Sequence, residues 1–278
     1  MTYYKTLALV TFSILNVLHI MAKEPPIINK YVYVKSNETD STCLPGCWIV
    51  VRVDGKNFHR FSKAHNFTKP NDHRALGLMN QSAVRVMDEY RDIRIAYGES
   101  DEFSFVIHKD TDMYSRRKIK IATYIAACFT ARYQFHWAEF FPETKLQYPP
   151  HFDAHIAEYP NDVMLRDYLS WRQNDCHINN SYNTVFWALI EKGGMTPAQA
   201  EERLRGTLFK DKNEILFSEF GINYNNEPEL FRKGTTVIRK KVSGDVKCKK
   251  TSVVCLNVDI IKNSFWIENY GSLGVNFM

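Results

Sequence analysis

The fold of this chain is decided by one apolar run, Trp48-Ile49-Val50-Val51-Arg52-Val53, which stops at Asp54-Gly55. Five of its six residues are apolar, and most of those are β-branched. Such a continuous run is typical of a strand buried on both faces, because a strand with one exposed face alternates apolar and polar residues. An Asp-Gly pair favours a turn. The sequence therefore predicts a central strand that ends on a carboxylate.

A second strand region lies about forty residues further on. Ile93–Tyr97 and Glu102–Ile107 have strand patterns, and they flank the short stretch Gly98-Glu99-Ser100-Asp101. Two strand patterns around a short turn that contains glycine predict a β-hairpin. Its tip carries Asp101 beside Glu102.

Helical patterns lie before and after this hairpin. Apolar residues recur every three to four positions from Asn71 or Asp72 onward, and again from about Ser115 to Phe140. The resulting order β-α-β-β-α is most of a ferredoxin-like split βαβ unit, with an antiparallel sheet and helices. From about Asp167 the pattern is mainly helical, with runs at 175–192 and 197–208. We therefore expect an α+β fold.

The length of 278 residues predicts roughly two domains. We divide the chain into an N-terminal extension of uncertain status at 1–27, a domain that contains the β-α-β-β-α unit at 28–165 and a more helical C-terminal part at 166–278. No linker rich in Pro, Gly or Ser separates the last two, which predicts that they pack together.

Composition excludes several classes of protein. With 45% hydrophobic and 24% charged residues, the chain is neither disordered, nor collagenous, nor a coiled coil. The net charge of +5 is mild. Two basic clusters stand out, at 116–120 and 232–250, and for each the simpler interpretation is a solvated face. The six cysteines do not have the spacing of a structural zinc site, and reduced thiols are expected.

The N-terminal segment Leu7–Met21 is apolar and resembles the core of a signal peptide. Only Lys5 precedes it, no clean cleavage site follows, and it is short for a membrane span. The N-x-S/T sequons at 37, 66, 80 and 179 have meaning only after secretion. We expect no stable membrane partner and no secretion. The expected location is cytoplasmic or nuclear, with the mitochondrion an open alternative.

Carboxylates follow the ends of neighbouring strands. In a split βαβ unit the first strand lies beside the hairpin, so Asp54 can meet Asp101 and Glu102. Converging carboxylates repel unless a cation lies between them, and hard oxygen ligands favour Mg²⁺. Two such ions, about 3.5–4 Å apart, clamp the oxygens of a phosphoryl or nucleotidyl transfer. Gly55 would let the backbone approach a phosphate. The alternative is that both segments are ordinary turns.

The same residues belong to a longer series of ordered motifs. These include Val53–Phe61, Lys69–Asp72, Tyr97–Phe105 and Ser170–Gln173, followed by the motifs His177–Asn180, Asp211–Phe217 and Asn223–Asn226. Together they resemble the tRNA-histidine guanylyltransferases, the 3′-5′ nucleotidyltransferase family. The resemblance runs from about Tyr33 to Thr235.

The resemblance implies a polymerase-like palm with a mainly helical C-terminal part that contacts tRNA. It implies an enzyme that adds one guanosine to the 5′ end of histidine tRNA. ATP first activates the 5′-phosphate, the 3′-OH of GTP then attacks and releases AMP, and pyrophosphate is finally removed. Two Mg²⁺ ions and a homotetramer are implied, with ATP and GTP as substrates.

The resemblance also assigns roles to residues. Asp54, Asp101 and the Gly55 carbonyl would bind the metal ions, and Glu102 would support catalysis. The implied nucleotide-binding residues are Asp54, Gly55, Lys56, Asn57, Phe58, His59, Ser100 and Asp101, with Arg117 and Lys120 binding phosphates at the activation site. His177, Asn180 and Lys212 would contact tRNA. The sequence departs from the family pattern at Lys56, Phe103, His155 and Ser181, which puts efficiency and RNA contacts in doubt.

Three other functions stay open at this point. A relative that repairs truncated tRNA 5′ ends by templated 3′-5′ polymerisation would have the same Asp and Gly residues. A catalytically silent tRNA-binding protein would need neither Asp54 nor Asp101. A secreted glycoprotein is suggested only by the apolar N-terminal segment and the sequons.

Overall fold

The computed structural model describes residues 32–241 and 251–274, which fall into one unit ending at Asp40 and one beginning at Ser41. In the first unit, a 3₁₀ helix spans Val32–Asn37. The segment Leu7–Met21 and the basic residues 247–250 lie outside the described residues. Within the described ranges, none of the helices combines the length and the apolar character needed to span a bilayer. The five cysteines found there are free thiols.

The second unit is built on one six-stranded sheet. Its strands are β1 (Trp48–Gly55), β2 (Ile93–Glu99), β3 (Glu102–Ile107), β4 (Phe152–Tyr159), β5 (Thr235–Lys241) and β6 (Thr251–Leu256). Their order across the sheet is β4-β1-β3-β2-β5-β6, and every neighbouring pair is antiparallel.

Nine helices are described around this sheet: α1 (Phe58–Ala64), α2 (His73–Glu89), α3 (Lys118–Phe135), α4 (Trp137–Phe140), α5 (Asp162–Glu191), α6 (Pro197–Leu204), α7 (Phe209–Phe220), α8 (Glu229–Lys233) and α9 (Asn263–Leu273). The sheet with helices on both sides confirms the predicted α+β class.

Strand β1 is buried on both faces, as its apolar run predicts. Ile49, Val51 and Val53 pack into a core formed with α2 and α3. Trp48 and Val50 point the other way, into a core formed with α5 and α9. A third apolar cluster joins the C-terminal half of α5 to α6 and α7. β1 is therefore clamped between two layers, which holds its end in place.

The predicted helix boundaries are confirmed at one helix and shifted at another. Asp72 is the N-cap of α2, and its carboxylate accepts a hydrogen bond from the Arg74 N–H. The helix predicted from Ser115 begins instead at Lys118. Tyr114, Ser115 and Arg116 have φ angles of 51°, 54° and 58°, and this left-handed backbone cannot continue an α-helix.

The part after residue 166 is mainly helical, as predicted, but it also supplies two strands. β5 and β6 extend the sheet beyond β2. The boundary predicted at residue 165 falls inside the 30-residue helix α5. The sequence did not predict these strands. Nearly half of β5 is basic, Arg239-Lys240-Lys241, and such a run indicates a solvated face rather than a strand.

Candidate active site

Four carboxylates form a row across one end of the sheet. The strand register aligns Asp153 of β4 with Asp54 of β1, Asp54 with Glu102 of β3, and Glu102 with Glu99 of β2. Directly opposed residues in antiparallel strands project from the same face of the sheet. The row therefore concentrates negative charge on the face that α5 covers.

A fifth carboxylate, Asp101, lies at the hairpin tip and is bound to the end of β1. The Gly55 N–H donates a 3.0 Å hydrogen bond to the Asp101 carbonyl. Ser100, which has a φ of 48°, donates from its hydroxyl to Asp101 Oδ1 at 3.0 Å. The topology thus brings Asp54 and Asp101 together, although 47 positions separate them in the sequence.

Glu102 differs from the other acids because it has a cationic partner. Arg172 of α5, which is 4% exposed, donates from Nη1 to Glu102 Oε1 at 2.8 Å and from Nη2 to Asp175 at 2.9 Å. Arg52 lies 4.0 Å from the other Glu102 oxygen. The charge of Glu102 is therefore compensated within the protein, which suits a supporting role.

Asp54, Asp101 and Glu99 have raised pKa values. Burial, with added repulsion from Asp54, raises the pKa of Asp101 to about 6. Burial also raises the pKa of Asp54, and Asp153 contributes, while Arg52 and Arg172 act in the opposite direction. Burial and the neighbouring Glu102 raise the pKa of Glu99 to about 8. Among the described residues, none of these three carboxylates has an ion-pair partner that would lower its pKa.

This acidic edge does not form a complete metal centre from side chains alone. In the described part of the chain, no group of three or more His, Cys, Asp or Glu side chains is arranged to hold a metal ion. Asp54 and Asp101 supply two carboxylates, and Gly55, which follows Asp54 directly in the chain, has a backbone carbonyl as a further candidate ligand. Mg²⁺ suits such a partial set, because it keeps waters and takes further ligands from substrate phosphates.

A cavity of about 480 Å³ opens beside the hairpin tip. Its wall comes from α1, the loop before α2, α5 and the start of β5. Four of the predicted nucleotide-binding residues line it: Phe58, His59, Ser100 and Asp101. The volume falls within the usual range for small-molecule sites.

Gly55 has a structural reason for lacking a side chain. A Cβ at this position would lie 2.3 Å from the Phe58 ring, which packs directly against the glycine. The ring of Phe58 in turn stacks on Phe61. The sequence predicts that this glycine lets the backbone approach a phosphate; in the structure, the Phe58 ring by itself leaves no room for a Cβ.

Two further predicted residues, Lys56 and Asn57, lie on a different cavity. This second cavity, of about 420 Å³, is also lined by Arg60, Tyr148, His151, Phe152 and Asp153. Asn57 has a left-handed backbone, with φ 56°, at the N-cap of α1. Six of the predicted nucleotide-binding residues therefore line one of these two cavities, whereas Asp54 and Gly55 line neither.

Arg117 and Lys120 are not brought to the acidic edge in this chain. They lie at the N-terminal end of α3, whereas Tyr133, near its C-terminal end, lines the first cavity. Thirteen helical residues span about 20 Å. Arg117 Nε donates to the Tyr114 carbonyl, and the Lys120 ammonium lies 5.3 Å from the Tyr124 ring centroid.

The three predicted tRNA-binding residues have different surroundings. His177 is half-buried and lies 4.6 Å from the Phe209 ring, and burial lowers its pKa. Asn180 is 6% exposed and lines the first cavity. Lys212 donates from Nζ to the Thr207 carbonyl at 2.8 Å. Of the three, Asn180 is therefore a wall residue of the nucleotide-sized cavity.

Several residues of this site were given no role by sequence reasoning. Lys69 is the cavity's lysine; burial lowers its pKa, and its ammonium lies 5.7 Å from the Trp187 ring. Arg172 compensates Glu102 from a helix far along the chain. Lys69 and Arg172 stand within quoted motifs, but nothing in their own spacing indicates a contact with the acidic row.

The sequence matches two protein families. Residues 31–160 match the family described as tRNAHis guanylyltransferase, and residues 163–262 match the Thg1 C terminal domain. The tRNA(His) guanylyltransferase of Candida glabrata is 54% identical over 215 residues, which cover 76% of this chain and 91% of that protein. That of Schizosaccharomyces pombe is 49% identical over 248 residues, which cover 86% and 95%.

Solved structures show the same architecture. The tRNA(His) guanylyltransferase of Saccharomyces cerevisiae superposes with a TM-score of 0.72 at 52% identity, over 75% of this chain and 93% of that one. A bacterial Thg1-like protein in complex with ATP gives a TM-score of 0.70 at 21% identity, over 87% and 98%. At that identity the bacterial protein supports the fold alone.

Proposed function

Because the chain belongs to the tRNA(His) guanylyltransferase family, we propose that its acidic sheet edge and first cavity add one guanosine to the 5′ end of histidine tRNA. The enzyme is a nucleotidyltransferase. Relatives of this fold have been solved with ATP and with GTP, which are the two nucleotides that the reaction needs.

One observation carries the assignment of the site. Asp101 lines a nucleotide-sized cavity, and Asp54 lies close enough to it to raise its pKa. Both carboxylates have raised pKa values and no cationic partner within ion-pair distance among the described residues. A purely structural acidic cluster would be expected to resemble Glu102, whose charge Arg172 compensates. Two uncompensated carboxylates next to a cavity instead fit a site completed by a bound cation and a substrate.

The residues present fit Mg²⁺. Asp54, Asp101 and the Gly55 carbonyl would hold it, and the remaining positions would go to water and phosphate oxygens. When bound, Mg²⁺ supplies positive charge that stabilises the attacking and leaving oxygens of nucleotidyl transfer. Arg172 holds Glu102 by a hydrogen bond at the start of β3 and thereby positions the hairpin that carries Asp101.

The reaction proceeds in three steps in this proposal. A 5′-phosphate oxygen of the tRNA attacks the α-phosphorus of ATP, which forms a 5′-adenylylated end and releases pyrophosphate. The 3′-OH of GTP then attacks the tRNA 5′-phosphorus, which forms the new phosphodiester and releases AMP. Water finally removes pyrophosphate from the triphosphate of the added guanosine.

The chain's own residues act on these substrates by position and charge. Lys69 presents an ammonium to the cavity, where a nucleotide phosphate would pair with it. Phe58 and Trp187 supply apolar surface in the same wall for a base or ribose. The ring of Phe58 also packs against Gly55 at the end of β1.

The proposal includes partners beyond the nucleotides. Histidine tRNA is the proposed RNA substrate, and a homotetramer is the proposed assembly, which light scattering of the purified protein would test. The proposed location remains cytoplasmic or nuclear, with the mitochondrion as the alternative.

The decisive experiment incubates the purified protein with 5′-monophosphorylated histidine tRNA, ATP, GTP and Mg²⁺. We expect a product one guanosine longer, which is absent with Asp101→Asn. The exposed carboxylate Asp110, beyond the far end of β3, provides the control Asp110→Asn, which should retain activity. A wild-type protein that binds tRNA but yields no product would favour the silent binding protein.

A second substrate separates guanylyltransferase from repair polymerase. Replacing the histidine anticodon should abolish most activity of the guanylyltransferase. Efficient templated extension of a truncated tRNA with another anticodon would instead support the repair enzyme.

A further inference from the structure

A chain of side-chain hydrogen bonds leads from the first cavity into the C-terminal part. The Asn71 Nδ2 group donates to Asn180 Oδ1 at 2.9 Å. Asn180 Nδ2 donates to the Tyr224 hydroxyl oxygen at 2.9 Å. The Tyr224 hydroxyl donates in turn to the His177 carbonyl at 3.5 Å. The three linked side chains therefore run from the loop before α2, through α5, to the segment after α7.

The last hydrogen bond, between Tyr224 and His177, determines which group donates in each of the others. A backbone carbonyl only accepts hydrogen bonds, so the Tyr224 hydroxyl gives its hydrogen to His177. Burial raises the pKa of Tyr224 to about 12, so the hydroxyl keeps its proton. Its oxygen is left to accept from Asn180, and the amide of Asn180 must then turn its NH₂ group toward Tyr224 and its Oδ1 toward Asn71.

The consequence appears at the cavity wall. Asn71 uses its NH₂ group on Asn180, and its Oδ1 accepts no hydrogen bond from the residues that the structure describes. Asn71 is partly exposed and lines the cavity. The orientation of the Asn71 amide at the cavity wall is therefore set, through Asn180, by the hydrogen bond between Tyr224 and the His177 carbonyl.

The remaining members of the chain have little freedom. Asn180 is 6% exposed and Tyr224 is 3% exposed. The Tyr224 ring packs against His177 and Phe209, at centroid distances of 5.5 and 5.6 Å. Reversing the Asn180 amide would place two donors against Asn71 and a carbonyl oxygen where Tyr224 accepts, which is costly in a buried setting.

We propose that Tyr224 is a positioning residue: through Asn180 it holds the Asn71 Oδ1 atom as a hydrogen-bond acceptor for the bound nucleotide. The nucleotide would contribute an N–H of its base or a ribose hydroxyl. This inference deepens the proposed function and rests on it, since it takes the ligand of the first cavity to be ATP or GTP.

The test compares two variants that each remove one hydroxyl near Asn180. Tyr224→Phe deletes the hydroxyl of the chain and keeps the ring between His177 and Phe209. Thr184→Val deletes a hydroxyl that donates to the Asn180 backbone carbonyl at 2.7 Å, and it leaves the side-chain amides untouched. Both residues are buried, so both variants should cost similar stability.

Three measurements follow. We expect Tyr224→Phe to weaken GTP or ATP binding in calorimetry about fivefold, the equivalent of one neutral hydrogen bond. The KM for the same nucleotide should rise in parallel, while kcat at saturation stays within about twofold. Asn71→Ala combined with Tyr224→Phe should bind no more weakly than Asn71→Ala alone, because both changes remove one interaction. Thr184→Val should bind like the wild type.

Side-chain amide NMR provides a measurement that does not depend on nucleotide. In Tyr224→Phe the Asn71 and Asn180 NH₂ signals should shift or broaden, whereas Thr184→Val should leave them in place. Unchanged amide signals, or additive losses in the double variant, would overturn the proposal. A wild-type protein that binds no nucleotide while its amide signals respond would overturn the proposed ligand and leave the positioning chain supported.

Discussion

The charged groups at the two ends of strand β1 differ in whether they have partners within the protein. At its start, the Arg116 guanidinium donates to five backbone carbonyls, those of Cys43, Leu44, Cys47, Lys109 and Thr111. Nearby, Glu158 pairs with Lys118 and accepts from the Leu44 N–H. Burial acts to raise the pKa of Glu158, but these partners outweigh it and the pKa is lowered. At the other end, Asp54 and Asp101 have raised pKa values.

The comparison distinguishes charged groups that stabilise the fold from charged groups that we propose act in the reaction. The cationic end has its hydrogen bonds completed by the chain itself, so its charges stabilise one backbone conformation. At the acidic end, Asp54 and Asp101 have no ion-pair partner among the described residues, so their charges oppose folding unless a cation binds, as we propose. Substitutions at the two ends should therefore affect stability and activity in opposite ways.

The largest expected effect is on activity at the acidic end. Asp101→Asn should lower guanosine addition about 10³-fold, since it removes several kcal/mol of transition-state stabilisation. The folded state raises the pKa of this carboxyl, so its contribution to stability is present in acid and is lost as pH rises through about 6. At pH 8 the variant should thus unfold at the same or a higher urea concentration. Lower stability together with retained activity would contradict the comparison.

At the opposite end the pattern should reverse. Arg116→Ala leaves five carbonyls without their donor and should lower the free energy of unfolding by about 3 kcal/mol. Guanosine addition per folded molecule should persist. Urea denaturation measures the loss, and Arg117→Ala is the control for stability, because that exposed neighbour makes one 3.3 Å bond. Equal losses of unfolding free energy in the two variants would show that the Arg116 side chain does not stabilise the left-handed turn at residues 114–116.

The third effect is a pH dependence confined to the acidic end. Because the pKa of Asp101 is about 6, single-turnover activity at low Mg²⁺ should fall as pH decreases through that value. The fall should reach about tenfold per pH unit, since only the ionised carboxylate binds the cation. Raising Mg²⁺ should shift the midpoint to lower pH by competition with the proton. A midpoint that does not respond to Mg²⁺ would assign the titration to another group.

The smallest effect concerns two buried tyrosines that differ in their partners. Tyr133 lines the cavity, is fully buried and has a hydroxyl without a hydrogen-bond partner among the described residues. Tyr133→Phe should therefore leave stability unchanged or raise it by up to about 1 kcal/mol. The Tyr168 hydroxyl lies 2.7 Å from the Ser104 hydroxyl, so Tyr168→Phe should lower stability by about 1 kcal/mol. Thermal unfolding of both variants gives the sign of each change.

The local pattern of the sequence was enough to predict β1, the hairpin and the capped helix α2. In each of these, apolar periodicity and turn residues agree with the final structure. The start of α3 was misplaced because a left-handed turn at residues 114–116 is stabilised by Arg116 through contacts distant in sequence. β5 was missed because its basic half has the composition of a solvated face, and in the fold that half pairs with β6.

The site was predicted in part for the same reason. Asp54, Asp101 and Glu102 follow strand ends, and a topology drawn from sequence places strand ends together. The pairing of Arg172 with Glu102, and the linkage of Asn71 to Tyr224, join segments separated by 70 residues or more. No spacing rule connects such residues, so the sequence could not predict that they are in contact.

What the amino-acid sequence established is β1, the hairpin, the capped helix α2 and the acids at the strand ends, because these depend on neighbours within a few residues. The folded chain decided which of those acids is compensated. Arg172 pairs with Glu102, whereas Asp101 at the cavity and its neighbour Asp54 have no ion-pair partner among the described residues. That selection depends on where a helix far along the chain packs, since electrostatic energy is set by distance in space and by burial.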